Sequence, residues 1–147
     1  LAKALGGGFP IGAMLASEEA ASGFAPGDHA STFGGNFLAA AVASKVIDIM
    51  TEEGFLARVN ENAAYLARGL ETIKDPRIVA VRGRGFLLGV EFNQEIKQLI
   101  EICMEKGLLL VGAGPQVLRL VPPLTVNQTE INQALNILKE ALKDWKA

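Results

Sequence analysis

Residues Leu1–Ser17 read LAKALGGGFPIGAMLAS, and the order of parts in this stretch decides how the rest is read. One lysine, Lys3, precedes a run of three glycines, Gly6 to Gly8, with Pro10 close behind. A glycine-rich loop beside a lysine suggests phosphate chemistry. A nucleotide P-loop, however, places its lysine after the glycines and follows it with Ser or Thr. Here the order is reversed and Ala4 follows Lys3, so nucleotide binding is disfavoured. A second chemistry needs the same residue types. A lysine that loses its proton, by burial or beside another cation, attacks a carbonyl carbon, and glycines next to it let backbone approach a bulky group where a Cβ would collide. Taken alone, Lys3 reads as an ordinary solvated lysine and the glycines as a flexible turn.

Composition narrows the function classes. The chain has 147 residues, half of them hydrophobic and 20% charged, enough apolar surface to close a core and too much for disorder. A net charge of −2, from 14 basic and 16 acidic residues, gives no electrostatic case for nucleic acid or an acidic membrane. The single cysteine, Cys103, excludes an internal disulfide, fits a reducing compartment, and lies in a helical apolar pattern that suits a core thiol. No stretch reaches the ~18 consecutive apolar residues of a membrane span; the longest, FLAAAVASKVIDIM at 37–50, is broken by Lys45 and Asp48. No signal-peptide layout opens the chain, so a cytoplasmic location is expected. The first residue is Leu and lies inside a dense motif, which makes a processed or excised piece of a longer protein the expectation.

Along the chain, FPIGAMLAS (9–17) predicts a short buried strand with its flanking turn, and GFAPGDHASTFGGN (23–36) is turn-forming throughout. Asn36 suits the N-cap of a helix over 37–50. That helix is apolar on nearly every face, so burial on most sides is expected. A helix over about 53–73 buries Phe55, Leu56, Val59, Leu66, Leu70 and Ile73 and ends at Asp75-Pro76. IVAVRGRGFLLGVEF (78–92) reads as two extended segments parted at Gly83–Gly85. A helix over 94–106 stops with Gly107 at its C′ position, followed by strands LLLV and VLRLV, the second stopped by Pro122-Pro123. The last helix opens on Asn127 with Glu130 three residues on, a capping-box pair, and buries Ile131, Ala134, Leu135, Leu138, Leu142 and Trp145. Residues from about 51 onward therefore predict a compact α+β unit with a small antiparallel sheet, and residues 1–50 a loop-rich piece that needs other protein around it.

Three further positions can carry chemistry. Ser31 and Thr32, followed by Phe33-Gly34-Gly35-Asn36 and a helix, form an anion-binding turn if their hydroxyls and the nearby N–H groups converge, or an ordinary ST-turn if they do not. Arg119 is a lone cation in an apolar strand, on the opposite face from Leu118 and Leu120. Its planar guanidinium suits a carboxylate, although an edge-strand surface arginine reads the same way. Arg82 and Arg84 read as solvated charges at a bend. His29, the one histidine, reads as a loop residue with no metal ligands at a suitable spacing.

Individually weak, these features together resemble the C-terminal part of the class III pyridoxal-phosphate-dependent aminotransferases. The resemblance runs from LAKALGGGFPIGAMLA through PGDHASTFGGN and VRGRGFLLGVEF to VLRLVPPLTV and the final helix. It implies an α/β protein of the fold type I pyridoxal-phosphate-dependent transferases. Residues 1–50 would be the C-terminal end of the large cofactor-binding domain with its connecting helix, and residues 51–147 the small C-terminal α+β domain. It implies that Lys3 is the catalytic residue, holding pyridoxal 5′-phosphate through its amine and moving the proton at the substrate carbon. Thr32 would bind the cofactor phosphate in the partner subunit's site of a homodimer, Ser31 would contact substrate, and Arg119 would take the carboxylate of the amino acceptor, 2-oxoglutarate. No metal is implied. The stretch PGDHASTFGGN favours N-acetylornithine as amino donor, in arginine biosynthesis. Ornithine, succinylornithine, acetyl-lysine and 4-aminobutyrate remain alternatives within the class, and a non-catalytic module kept for oligomerisation or scaffolding is the alternative outside it. Phe37 departs from the proline the family usually has after Gly-Gly-Asn. The family's ring-nitrogen carboxylate, stacking aromatic and main phosphate turn all precede the lysine, so the 147 residues alone are expected to be inactive.

Overall fold

The computed structural model describes residues 1–146. The chain divides into two compact units, Leu1–Phe55 and Leu56–Ala147.

In the first unit a 3₁₀ turn, Lys3–Gly6, leads through an extended segment to the one-turn helix α1 (Glu18–Ala21) and the helix α2 (Phe37–Thr51). Ser17 caps α1 by accepting from the Ala20 N–H, and Asn36 caps α2, its Oδ1 accepting from Ala39 at 3.0 Å. The face of α2 that carries Ala39 and Ala43 is buried. Small residues there let the helix lie close to the 3₁₀ turn, where a Cβ on Gly7 would stand 3.2 Å from Val46.

Two expectations fail in this unit. Residues 9–17 form no strand, and Met14 and Leu15 are exposed. A strand needs a ladder partner, and among the described residues only the Leu1–Ala13 pair is bonded across this segment. Helix α2 is present as expected but is not buried on most sides: Phe37, Leu38, Ile47 and Ile49 are exposed, because nothing within the unit covers those faces.

The second unit carries α3 (Phe55–Glu71), β1 (Ile78–Arg84), β2 (Leu87–Phe92), α4 (Lys97–Glu105), β3 (Val111–Gly112), β4 (Val117–Leu120) and α5 (Gln128–Asp144). The strands form one antiparallel sheet in the order β1-β2-β4-β3. Alternation along the strands turns Leu88, Val90, Phe92, Leu118 and Leu120 into the core. Val59, Ala63, Leu66 and Leu70 of α3, Leu99 and Cys103 of α4, and Ile131, Leu135, Leu138 and Leu142 of α5 complete it. Phe92 meets Trp145 edge-on at 5.3 Å, and Gly69 lets α3 and α5 close to a separation at which a Cβ would run into Leu135.

Boundaries shift for local reasons. Helix α3 leaves out Ile73, and Leu56 is exposed. Helix α4 starts three residues late because the Ile96 N–H is already taken by the Pro115 carbonyl. Gly107, with φ +85°, stops it: Leu108 N–H reaches Cys103 O and Gly107 N–H reaches Met104 O, the two bonds of a Schellman motif. The first hairpin turns at Gly85-Phe86, with Gly83 kept inside β1. The 108–111 strand shrinks to Val111–Gly112. The capping box on α5 forms as expected, Asn127 Oδ1 accepting from the Glu130 N–H and Glu130 accepting from the Asn127 N–H.

Candidate active site

Lys3 opens the 3₁₀ turn with φ +57°, the one positive φ outside glycine among the described residues. A non-glycine residue held there costs about 1–3 kcal/mol, and such strain persists where the surroundings over-determine the backbone. They do so here. The Leu1 nitrogen donates to Ala13 O at 2.7 Å and Ala13 N–H donates back to Leu1 O at 2.9 Å, fixing the entry to the turn. Gly7, at φ +56°, closes it by donating to Ala4 O. Gly6 is buried, and a Cβ there would sit 2.8 Å from Ile11 Cγ2. Gly6 and Gly7 thus let Ile11 and Val46 come close to the turn, while the Lys3 side chain is exposed and its ammonium has no carboxylate partner among the described residues.

Ser31 and Thr32 stand on a turn closed by Gly34 N–H to Ser31 O at 3.2 Å, continued by Asn36 N–H to Phe33 O at 3.1 Å. Gly35 takes φ +70°, and Asn36 then caps α2. Sequence alone therefore sets both the hydroxyls and the helix start that follows them. Neither hydroxyl has a hydrogen-bond partner among the described residues. Phe37, where the resemblance leads one to expect proline, is the first residue of α2 and exposed, and it leaves the turn intact. Ser31 and Gly34–Asn36 form one wall of an open groove of about 540 Å³, with Phe9–Gly12 opposite. Lys3 and Thr32 are not among its lining residues.

In the second unit, strand register decides what surrounds Arg119. It pairs with Gly89 on β2 and Val111 on β3, and Gly89 pairs in turn with Arg82 on β1. The row Arg82–Gly89–Arg119 lies on the face opposite the core, and with Arg84 it borders a shallow groove of about 300 Å³. Arg119 and Arg84 have no acidic partner among the described residues. Arg82 does: its guanidinium is ion-paired with Glu91, so the expectation of a merely solvated charge is corrected. This pair was not legible in sequence, because it depends on cross-strand register.

Other polar groups are structural. Asp75 and Arg77 form a two-bonded pair, and the Arg77 hydrogen bonds hold the Asp75 carboxyl below its ordinary 3.8. Burial pushes the Cys103 thiol up to about 11, which leaves it protonated and inert, as a core thiol should be. His29 faces Phe24 at 5.6 Å. Among the described residues no group of His, Cys, Asp and Glu comes together to hold a metal ion, and no helix is long and apolar enough to cross a membrane.

Residues 1–142 match the family model described as Aminotransferase class-III. The acetylornithine aminotransferase of Listeria innocua is 48% identical over 145 residues, 97% of this chain but 38% of that protein. The enzyme of the same name from Clostridium acetobutylicum is 49% identical over 146 residues, again 97% and 38%. Among solved structures, an acetylornithine aminotransferase from Elizabethkingia anophelis superposes with a TM-score of 0.85 at 30% identity, covering 98% of this chain and 40% of that one. An ornithine aminotransferase from Toxoplasma gondii also reaches 0.85, at 29% identity, covering 97% and 36%. The chain spans about 38% of the length of the curated relatives it matches.

Proposed function

The chain belongs to the class-III aminotransferases, and we propose that it acts as the lysine-bearing, C-terminal part of an enzyme that moves an amino group from N-acetylornithine to 2-oxoglutarate. The observation that carries this reading is the strained backbone of Lys3 (φ +57°) ahead of Gly6 and Gly7, where a Cβ would crowd Ile11 and Val46. Strain of this kind concentrates at functional positions. The donor set fits pyridoxal 5′-phosphate: an unpaired primary amine for its aldehyde, and the free hydroxyl of Thr32 on a glycine turn for its phosphate. When bound, that cofactor supplies the electron sink for the pair left behind as a proton leaves the substrate carbon. Lys3 would hold the cofactor through its amine, and the free amine would carry that proton between the substrate carbon and the aldehyde carbon of the cofactor. Ser31 contacts the substrate. Arg119 presents two parallel N–H donors to the carboxylate of the oxo-acid. The reading places residues 1–50 at the end of the large domain and 51–147 in the small domain. It makes the enzyme a cytoplasmic homodimer of arginine biosynthesis, in which the exposed Thr32 hydroxyl serves the partner's site.

Borohydride reduction of the full-length protein with pyridoxal phosphate, followed by peptide mapping, should put the label on Lys3. A label on Lys45 or Lys106 would sink the assignment. Ornithine as donor is the second reading, because an ornithine aminotransferase superposes as well as an acetylornithine one. The higher identity to acetylornithine enzymes favours the acetylated donor, and a comparison of kcat/KM for the two donors decides between them.

A further inference from the structure

Arg119 pairs directly with Gly89 of β2 on one side and with Val111 of β3 on the other. Residues directly opposite in an antiparallel ladder have Cβ atoms about 4.5–5.5 Å apart, so the opposite side chain ordinarily walls in the stem of a long one. Gly89 supplies no such wall. Val117 does, from two residues back along β4 and on the same face as Arg119. A Cβ on Gly89 would stand 3.1 Å from Val117 Cγ1, closer than ordinary van der Waals contact. The other atom within 4 Å of that position is the Arg82 carbonyl oxygen, at 3.9 Å, and no Arg119 atom comes that near. The half-buried Val117 therefore leans over Gly89 and fills the space into which the Arg119 stem would otherwise fold.

We infer that Val117 is a positioning residue for Arg119: with its Cγ1 methyl over Gly89, it keeps the arginine stem from lying down across β2 and holds the guanidinium where it meets the carboxylate of the amino acceptor. The inference rests on the reading of Arg119 as the carboxylate-binding residue. Its physical basis is side-chain entropy. An arginine stem carries several rotatable bonds and settles along whatever apolar surface is open to it. A β-branched valine is stiff, so it makes a fixed wall, and Arg119 meets its ligand with part of its freedom already removed. The wall acts on the stem, whatever carboxylate the guanidinium holds between turnovers.

The test uses the full-length enzyme, with kcat/KM for 2-oxoglutarate read as a ratio to kcat/KM for the amino donor. Val117→Ala should lower that ratio about two- to ten-fold, the range expected when one long side chain must be immobilised on binding. Val117→Ile keeps the Cγ1 methyl and should stay near the parent. Adding Gly89→Ala to Val117→Ala puts a methyl back into the same space from the opposite strand, and should restore the ratio. A merely structural role for Val117 would lower the melting temperature without moving the ratio. Crystal structures should show the Arg119 stem over Gly89 in Val117→Ala and lifted off it in the double variant. An unchanged ratio in Val117→Ala, or no recovery on adding Gly89→Ala, overturns the inference while leaving the role of Arg119 standing. If Arg119→Ala itself leaves the ratio unchanged, the reading of Arg119 fails and the inference falls with it.

Discussion

Arg77 shows how much one side chain can commit. Its Nε and Nη2 donate to the two oxygens of Asp75. Nη1 reaches the Trp145 carbonyl and Nη2 the Leu142 carbonyl, each at 2.6 Å, and the guanidinium lies 4.4 Å from the centre of the Trp145 ring. The last carbonyls of a helix lack internal partners, so Arg77 both satisfies the end of α5 and ties it to the start of β1. The Asp75 carboxyl is held below its ordinary 3.8 by these contacts. A carboxylate with a lowered folded-state pKa adds stability above its unfolded value and loses it as pH falls through the folded one. Asp75→Asn should therefore lower the melting temperature at pH 7 and flatten its fall below about pH 4. Melts of the parent and variant across pH 2–7 check this, and parallel curves would show that the pair contributes nothing. Nothing in the spacing of Asp75, Arg77 and Trp145 announces the arrangement, because the partners of Arg77 are backbone carbonyls 65 and 68 residues away.

At the scale of elements, caps and periodicity were legible and strand pairing was not. Asn127 and Glu130 are three residues apart, so their reciprocal bonds follow from local geometry alone. Asn127→Ala should cost about 1 kcal/mol, read as a drop in melting temperature, whereas Glu130→Gln should keep most of the cap because an amide oxygen also accepts. A loss in Glu130→Gln as large as that in Asn127→Ala would mean that the charge of Glu130 contributes as much at this end as the Asn127 hydrogen bond. The stripes of α3 and α5 were visible at spacings of three and four, and the core holds most of those residues. The segment 9–17 misled because its composition states what a strand would bury but not whether a neighbouring strand is there to pair with it. By sequence Gly83 belongs to the bend, yet it lies inside β1, where its φ of +142° and its closeness to the Leu87 carbonyl exclude a Cβ. A glycine says that something is tight or twisted, not which.

At the scale of the whole molecule, the proposed enzyme requires groups beyond these 147 residues. In the proposed reading, cofactor affinity rests on a ring-nitrogen carboxylate, a stacking aromatic and a phosphate turn acting with the lysine, and one amine and one hydroxyl would not replace them. The 147-residue chain alone should bind less than stoichiometric pyridoxal phosphate and show no amino transfer. A visible absorbance band of full amplitude in the purified chain would overturn this. If Thr32 serves the partner's site, mixing full-length Lys3→Ala with full-length Thr32→Ala should recover activity, because one site of each hybrid dimer keeps both residues. Fully exchanged hybrids with no recovery would assign Thr32 to its own subunit. The exposed Phe33, Phe37 and Leu38 beside this turn agree with a surface made to be covered.

What sequence determined by itself was everything carried by near neighbours along the chain: the helices and their caps, the glycine stop after α4, and the motif in which Lys3 precedes its glycines. Hydrogen bonds spanning three or four residues, and side chains repeating on one face, need no knowledge of the rest of the chain. Tertiary structure alone decided the strand order β1-β2-β4-β3 and the register that sets Arg82, Gly89 and Arg119 in one row. It also decided the clamp of Arg77 on α5 and the left-handed backbone of Lys3. Each depends on which distant segment comes alongside, and a one-residue slip between β2 and β4 would turn Arg119 toward the core instead of the groove.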